Sequence, residues 1–297
     1  MAQSTDPFGN FNKNDYFADM RVVAQVVMNG TVLSGDAVLA VYAGNQLRGK
    51  ATPDTKDTEV FYLSVYSDDE DKLIFKVYTG GRVIEYDPGN FIFSYFDIIG
   101  TPSSPYIIDL PAPVVTTPST EGWATTCVPF NAEVPEGVTV WNVTGIDNGQ
   151  LVMSKTEGNI LPKDTPVLLY SEGKTSYEWL SRVADGNVKT DNSILKGSAA
   201  ETAVAAGSVM TLGHSKESGA IGFWLFSGTT VPANRAYIAD FPSTARGFAL
   251  PFEETTTGID DVNVNGDLNK VYDLMGRRVS KAQHGLYVVS GKKVVIK

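Results

Sequence analysis

Apolar and polar residues alternate one by one along most of this chain, and short turn sequences separate the alternating runs. The stretch RVVAQVVMNGTVL, residues 21–33, shows this most clearly, because Asn29 and Gly30 lie between two such runs. A type I′ turn needs two residues with positive φ, and Asn-Gly supplies them readily. The pattern therefore predicts a β-hairpin.

The same pattern recurs downstream. Residues 37–51 turn at Gly44–Asn45, and residues 60–86 turn at Asp68–Asp71 and again at Gly80–Gly81. The runs between these turns are rich in β-branched and aromatic residues, which favour pleated strands over helices. Strands at this spacing predict a β-sandwich of roughly 90–100 residues.

Residues 111–120, PAPVVTTPST, interrupt the alternation. Prolines lack a backbone N–H and favour an extended polyproline II chain, so the sequence predicts a linker. A second strand-rich block follows, with a hairpin tip at Asp147–Gly149. Within it, residues 159–173 and 229–243 share a plan: a proline after an apolar residue, polar turn residues, then an apolar strand.

The predicted fold class is all-β, with two β-sandwich modules in tandem and a short β-rich tail. Residues 174–186 and 201–210 are each predicted to form one or two helical turns, too few for a helical fold. The predicted divisions are an N-terminal segment (1–13), a first module (14–110), the linker (111–120), a second module (121–253) and a C-terminal tail (254–297).

Composition narrows the class of partner. Asp plus Glu is 34 and Lys plus Arg is 24, a net charge of −10, which argues against nucleic acid because phosphate binding needs a basic face. No apolar run approaches the ~18–20 residues of a transmembrane helix, so no transmembrane segment is expected. Residues 1–10 have neither the cationic start nor the apolar core of a signal peptide, and we expect none in this sequence.

Catalytic groups are sparse. Cys127 is the one cysteine, and its apolar neighbours predict a buried side chain. The two histidines, His214 and His284, fall in different modules, whereas zinc sites and catalytic triads need several groups together. We therefore expect no enzyme activity and no cofactor. Paired-carboxylate chemistry leaves no motif in a single sequence, so a weak glycoside hydrolase stays an alternative.

Two acidic stretches are candidate metal sites. Asp261, Asn263 and Asn265 match the opening of a calcium-binding loop, but the twelfth position is Tyr272 where a carboxylate is required. We therefore expect no metal there. The run SDDED, residues 67–71, is interpreted as a solvated hairpin tip, because consecutive acids point apart into water.

The aromatic residues of this chain could form a sugar-stacking platform or cross-strand core pairs. Their alternation within strands favours core pairs. Trp179 lies in a polar stretch and is the candidate for sugar stacking. The other aromatic residues weighed in this way are Tyr62, Tyr66, Phe75, Tyr78, Phe223, Trp224 and Phe226.

The tail is basic in an otherwise acidic chain. About forty residues leave too much surface exposed to form a stable core alone, so we expect the tail to pack on the preceding domain or to be received by a partner. Its cations are Lys270, Arg277, Arg278, Lys281, Lys292, Lys293 and Lys297.

Residues 258–297 resemble the C-terminal sorting domain of the type IX (Por) secretion pathway of Bacteroidetes. The likeness implies export by that secretion machinery and display at the surface or release. It begins at Gly258-Ile259 and rests on Tyr272, Asp273, Leu274, Gly276, Arg277, Gly285, Leu286, Tyr287, Gly291, Lys292 and Lys293. Residues 35–51 and 122–145 likewise resemble β-sandwich modules of surface proteins and adhesins from gut Bacteroidetes.

The leading hypothesis is a secreted or surface-displayed, non-enzymatic protein that acts in adhesion and binds a glycan or a matrix protein. The first alternative is a carbohydrate-active accessory protein or weak glycoside hydrolase. The second is a structural subunit that assembles through unpaired sheet edges.

Overall fold

The computed structural model describes residues 6–57 and 59–250, together with strands in the interval 271–296. The chain forms two compact units, which divide between Pro251 and Phe252. Strands make up 47% of the chain, and the described residues contain no α-helix, so the all-β prediction is confirmed. A single 3-10 turn, Lys13–Asp15, precedes the first strand.

Nine strands build the first module, as two sheets packed face to face. They are β1 (Ala18–Met28), β2 (Thr31–Val32), β3 (Val38–Ala43), β4 (Gln46–Ala51), β5 (Phe61–Ser67), β6 (Leu73–Thr79), β7 (Arg82–Tyr86), β8 (Ile98–Ile99) and β9 (Tyr106–Leu110). One sheet has the order β2-β1-β5, with β8 and β9 pairing in parallel to β1. The other has the order β4-β3-β6-β7.

Alternation along these strands separates a core face from an outer face. In β5, Phe61, Leu63 and Val65 are buried while Tyr62 is exposed. All buried members of this core lie between Ala18 and Leu110, within the predicted first module. The hairpins at Asn29–Gly30, Gly44–Asn45 and Gly80–Gly81 join paired strands as predicted.

The fourth predicted turn of this module is different. Strand β5 pairs with β1 and β6 pairs with β3 and β7, so Asp68–Asp71 carries the chain from one sheet to the other. The prediction of a hairpin tip at 67–71 is therefore wrong. An acidic side chain of this connection also forms hydrogen bonds within the protein: the Asp71 carboxylate accepts from Arg48 (2.8 Å) and from the Ser67 hydroxyl (2.7 Å).

The second module contains fifteen strands. They are β10 (Val114–Thr116), β11 (Trp123–Thr126), β12 (Ala132–Glu133), β13 (Thr139–Asp147), β14 (Gln150–Lys155), β15 (Ile160–Leu161), β16 (Val167–Tyr170), β17 (Tyr177–Trp179), β18 (Leu195–Ser198), β19 (Thr202–Ala203), β20 (Met210–His214), β21 (Ile221–Leu225), β22 (Thr230–Val231), β23 (Arg235–Ile238) and β24 (Gly247–Ala249). The stretches predicted to form helical turns contain β17 and β19 instead, so that prediction is wrong.

Two successive six-strand repeats account for most of this module. In β11–β16 the pairings are β11 with β16, β16 with β13, β13 with β14, and β12 with β15. In β18–β23 the corresponding strands pair in the same way. The two similar sequence stretches occupy equivalent places, and each turn contains a non-glycine residue at positive φ, Asp164 (55°) and Asn234 (58°). The shared plan seen in the sequence thus corresponds to an internal structural repeat.

The sheet β11-β16-β13-β14 is the central layer of the second module. On β16, Val167 and Leu169 belong to one core, and Leu168 belongs to a second core on the opposite face. Because both faces are buried, the strand is continuously apolar where a one-sided strand would alternate. The sheet β18-β23-β20-β21-β24 covers one face, and residues of β10, β17, β12 and β15 cover the other.

The stretch predicted as a linker contributes to the covering layer. Strand β10 lies within residues 111–120 and pairs antiparallel with β17, placing Val114 opposite Trp179. The prediction of a polyproline II spacer is therefore wrong for Val114–Thr116, because these residues form backbone hydrogen bonds with β17, a pairing that the sequence does not reveal. Trp179 is fully buried, and its Nε1–H donates to the Thr116 hydroxyl (3.0 Å).

Main-chain and charged contacts fasten the first module to the second. The Glu85 N–H donates to the Ser181 carbonyl (3.1 Å), and the Arg182 guanidinium donates to the Val83 carbonyl (2.9 Å). The Glu85 carboxylate accepts from the Val183 N–H (2.9 Å) and from Lys76 (2.8 Å). The two modules are therefore held in one unit rather than joined by a free spacer.

In the C-terminal unit, described on its own, the described residues form four strands: β25 (Val271–Tyr272), β26 (Arg278–Val279), β27 (Gly285–Val289) and β28 (Lys292–Ile296). They form an antiparallel sheet of order β26-β25-β27-β28. Of the predicted sorting residues, Tyr272, Gly285 and Tyr287 lie on strands. The predicted sorting residues Asp273, Leu274, Gly276, Arg277 and Gly291 lie outside the described residues, as do the calcium candidates Asp261, Asn263 and Asn265.

We predict that Trp179 is a stabilising core residue. Trp179→Ala should lower the free energy of unfolding by about 3–5 kcal/mol, because it leaves a large cavity and removes the partner of Thr116. Urea unfolding of the full chain measures this. Val115→Ala, an exposed position on β10, is the control and should change stability by less than about 0.5 kcal/mol. An unchanged unfolding midpoint in Trp179→Ala would contradict this assignment.

We predict an acid-sensitive contribution from Glu85. Burial raises the pKa of its carboxyl, but the hydrogen bonds from Lys76 and Val183 and the charges of Lys76 and Arg182 outweigh burial and leave the pKa below its ordinary value of 4.5. A lowered pKa stabilises the fold above pH 4.5, and this stabilisation is lost as the pH falls through the folded-state pKa.

Unfolding at a series of pH values below 4.5 tests the prediction. Stability should decline less steeply in Glu85→Gln than in the parent chain. The exposed Glu172→Gln substitution is the matched control. Equal slopes for Glu85→Gln and the parent would show that the contact does not contribute.

Candidate functional site

The burial of Trp179 removes the candidate sugar-stacking residue, since no face of its ring reaches solvent. Phe75 and Phe223 are buried in the cores of their modules, as the cross-strand reading predicted. Tyr62 is exposed, whereas Trp224 is half-buried. The structure thus separates residues that the sequence presented as one group.

Exposed aromatic side chains instead gather on the first module, around Phe17 and Phe96. These two rings are 78% and 64% exposed, and their centroids lie 6.2 Å apart in an edge-to-face arrangement. Tyr95 is 40% exposed and lies next to Phe96 in the chain. We refer to Phe17, Tyr95 and Phe96 as the aromatic patch. Exposed aromatic residues that adjoin one another are typical of interaction surfaces, whereas scattered ones are not.

Hydrogen bonds to the rest of the sandwich hold the patch in place. The N–H of Phe17 donates to the Asp68 carboxylate, and the Tyr95 hydroxyl donates to the Asp68 carbonyl (2.6 Å). The Phe96 N–H donates to the carbonyl of Asp19 on β1 (2.8 Å). The connection at Asp68–Asp71, which the sequence presented as a solvated turn, therefore anchors two members of the patch.

Phe96 has an unusual backbone conformation, with φ of 59°. A bulky residue at positive φ is strained, at a cost of about 1–3 kcal/mol, and such residues concentrate at functional sites. The strain brings no compensating burial, because the ring points into solvent. This combination marks the patch as the candidate site of the first module.

Carboxylates border the patch. The Asp68 carboxylate accepts from the Phe17 N–H, and the Asp97 carboxylate, next to Phe96 in the chain, accepts from the Ile98 N–H (2.8 Å). Asp19 accepts from the Phe96 N–H through its main-chain carbonyl, and its carboxylate pairs with Arg21 (3.5 Å). The patch is therefore an apolar surface with an acidic border.

Two residues with candidate chemistry are placed elsewhere. Burial, and then the charge of Asp164, raise the pKa of the Cys127 thiol to about 11, so it stays protonated and unreactive at neutral pH. The predicted burial of this residue is confirmed. His214 Nε2 lies 3.1 Å from both carboxylate oxygens of Glu121, and this hydrogen bond lowers the pKa of Glu121 to about 2.

Within residues 6–57 and 59–250 no group of three or more histidine, cysteine or acidic side chains is arranged to hold a metal ion. His284 lies outside the described residues. Of the described segments, none is a helix long and apolar enough to span a membrane.

Comparison of the chain with family models, with curated proteins and with solved structures found no match. The resemblance of the tail to a sorting domain and of the modules to surface proteins therefore stays a prediction.

Sequence reasoning missed Phe17 and Phe96. The available signal was FSYFD, residues 93–97, where three aromatic residues fall in five positions outside any hairpin. Exposure itself is not visible in the sequence, because Phe93 in the same stretch is buried while Phe96 is exposed.

Proposed function

We propose that this chain is a non-enzymatic adhesion protein, displayed at the outer cell surface or secreted, whose aromatic patch binds a protein partner of the matrix kind. The observation that carries the proposal is Phe96, a strained and exposed ring held against the exposed ring of Phe17. Aromatic residues that fill pockets on a partner contribute much of the binding energy of protein interfaces.

The geometry of the patch favours a protein over a sugar. The rings of Phe17 and Phe96 meet at 72°, so they do not form the flat platform that stacks on a sugar ring. Neither ring carries a polar group for a sugar hydroxyl. An edge-to-face pair fits an apolar pocket between side chains of another protein.

Anchoring of the patch adds to its suitability. Asp68 and Asp19 fix the backbone on both sides of the ring pair through hydrogen bonds. Because the backbone that carries the rings is held before binding, less backbone entropy is lost on association than for free loop residues.

The acidic border specifies the character of the partner. Asp19, Asp68 and Asp97 surround an apolar centre, and a complementary surface has an apolar pocket bordered by lysine or arginine. Such charge complementarity accelerates association and makes it sensitive to salt.

Export is the second part of the proposal. The tail resembles a type IX sorting domain, which supports recognition by that secretion machinery in a member of the Bacteroidetes. The boundary between Pro251 and Phe252 also supports a separable sorting domain, because residues 1–251 form a compact unit of their own.

We predict that the patch carries the adhesion. The full chain is applied to a panel of immobilised matrix proteins, and the strongest binder is titrated against Phe17→Ser, Phe96→Ala and Phe96→Gly. Each substitution should weaken binding by about 30-fold, which corresponds to about 2 kcal/mol. Phe96→Gly should also unfold no more easily than the parent, because glycine adopts positive φ without strain.

Ile107→Ser is the matched control, since it removes an exposed apolar residue of β9 from the same module. It should leave binding unchanged. Equal binding by the parent and all three patch variants, or no binding to any matrix protein, would refute the adhesion role of the patch.

We predict that deletion of residues 258–297 abolishes surface display and leaves the first two modules folded. The expected midpoint of thermal unfolding of residues 1–257 equals that of the same transition in the full chain, because the cores lie within residues 18–250. Surface labelling of a host with the type IX pathway measures display. Continued display of the truncated protein, or its failure to fold, would contradict the assignment.

A further inference from the structure

The two repeats of the second module differ in how one sheet face is used. In the first repeat, Leu169 of β16 lies opposite Ala124 of β11 and Val140 of β13. Directly paired residues share a face, and all three belong to the core beneath the layer that contains β10 and β17. This face is apolar and covered.

The equivalent face of the second repeat has a different composition. Tyr237 of β23 is paired on both sides, as Leu169 is, and it lies opposite Lys196 of β18 and Thr211 of β20. Polar or amphipathic side chains therefore replace three core residues. None of them belongs to a hydrophobic core cluster of the described chain. Lys196 is exposed and Tyr237 and Thr211 are half-buried, so this face keeps contact with solvent.

A straight row of side chains crosses this face, and we name it the cationic row. Thr211 pairs onward with Trp224 of β21, and Trp224 pairs with Gly247 of β24. Neighbouring strands lie about 4.8 Å apart, so the strands of Tyr237 and Trp224 are about 10 Å apart. In order across the sheet, the row is Lys196, Tyr237, Thr211, Trp224 and Gly247.

The Trp224 ring is fixed against the sheet. A Cβ at Gly247 would lie 2.0 Å from Cε3 of Trp224, so the ring occupies the space that a side chain at position 247 would fill. Its Nε1–H donates to the Ala220 carbonyl (3.2 Å), which sets the rotation of the ring. A half-buried indole held in this way is a rigid stacking surface.

The cations of the face have no acidic partner among the residues that the structure describes. Arg235 lies two residues before Tyr237 on the same side of β23, and it lines a cavity together with Thr211 and Gly213. No described carboxylate lies within 4.0 Å of Arg235 or of Lys196. In a chain of net charge −10, two cations that pair with no described carboxylate and lie beside two aromatic rings indicate an anionic ligand.

We propose that the cationic row and Arg235 bind an anionic oligosaccharide. Trp224 and Tyr237 stack on sugar rings, the Thr211 hydroxyl bonds to a sugar hydroxyl, and Lys196 and Arg235 pair with carboxylate or sulfate groups. A nucleic acid strand is disfavoured, because the face has two cations and the protein as a whole repels phosphate. This surface and ligand differ from those of the adhesion site, so the two proposals fail independently.

The test titrates the full chain with a hexauronate, a sulfated hexasaccharide, a neutral hexasaccharide and a single-stranded oligonucleotide, by calorimetry up to millimolar concentration. Binding of the hexauronate identifies carboxylate as the recognised group, and binding of the sulfated sugar identifies sulfate. Trp224→Ala and Tyr237→Ala should each weaken the anionic sugar by about tenfold or more. Lys196→Glu and Arg235→Glu should do the same and reduce the salt dependence.

Lys155→Glu supplies the matched control, because it makes the same change of charge at an exposed position at the end of β14, in the other sheet. It should retain parental affinity. Thermal unfolding of each variant identifies substitutions that damage the fold, and Trp224→Phe is a milder alternative to Trp224→Ala. Absence of binding to both anionic sugars, equal binding of the neutral sugar, tighter binding of the oligonucleotide, or full affinity in all face variants would overturn the proposal.

Discussion

An apolar sheet face must be covered, whereas a polar face need not be, and the second module depends on this constraint. Its central sheet is apolar on both sides, so it requires a layer on each. The second repeat supplies one layer. The chain between the modules supplies part of the other, by pairing β10 with β17 and burying Trp179. The same requirement joins the two modules, since the segment that follows β17 also binds β7 through Ser181 and Arg182.

The two repeats show, within one molecule, how the need to cover an apolar face affects the residues on that face. Both repeats have the same strand pairings, yet the strand residue paired on both sides is Leu169 in a core in the first repeat and the half-buried Tyr237 in the second. Side chains on a sheet face that is not part of the core can contact a ligand, while the buried opposite face stabilises the sheet. Phe223, which is fully buried, stabilises β21, and the adjacent Trp224 points to the other side.

Local features of the fold could be predicted from the sequence, because a tight turn depends on its own residues. Asn29–Gly30 and Asn148–Gly149 have the positive φ values that their identities favour, and each joins two paired strands. Asp68–Asp71 was misassigned because its strands enter different sheets, which is a property of distant pairing. Val114–Thr116 was read as a spacer for the same reason: its partner, β17, lies about sixty residues further along the chain.

The candidate sites were harder to predict because they depend on exposure and register. Trp179 stands in a polar stretch and is buried, whereas Phe96 stands in an aromatic stretch and is exposed. The cationic row draws its members from five strands, and none of them is adjacent to another in sequence. A sequence shows which side chains are present, but a row across a sheet exists only once the register is fixed. Register is in turn fixed by the buried face, so the position of Tyr237 beside Lys196 follows from the packing of Ala236 and Ile238 in the core below.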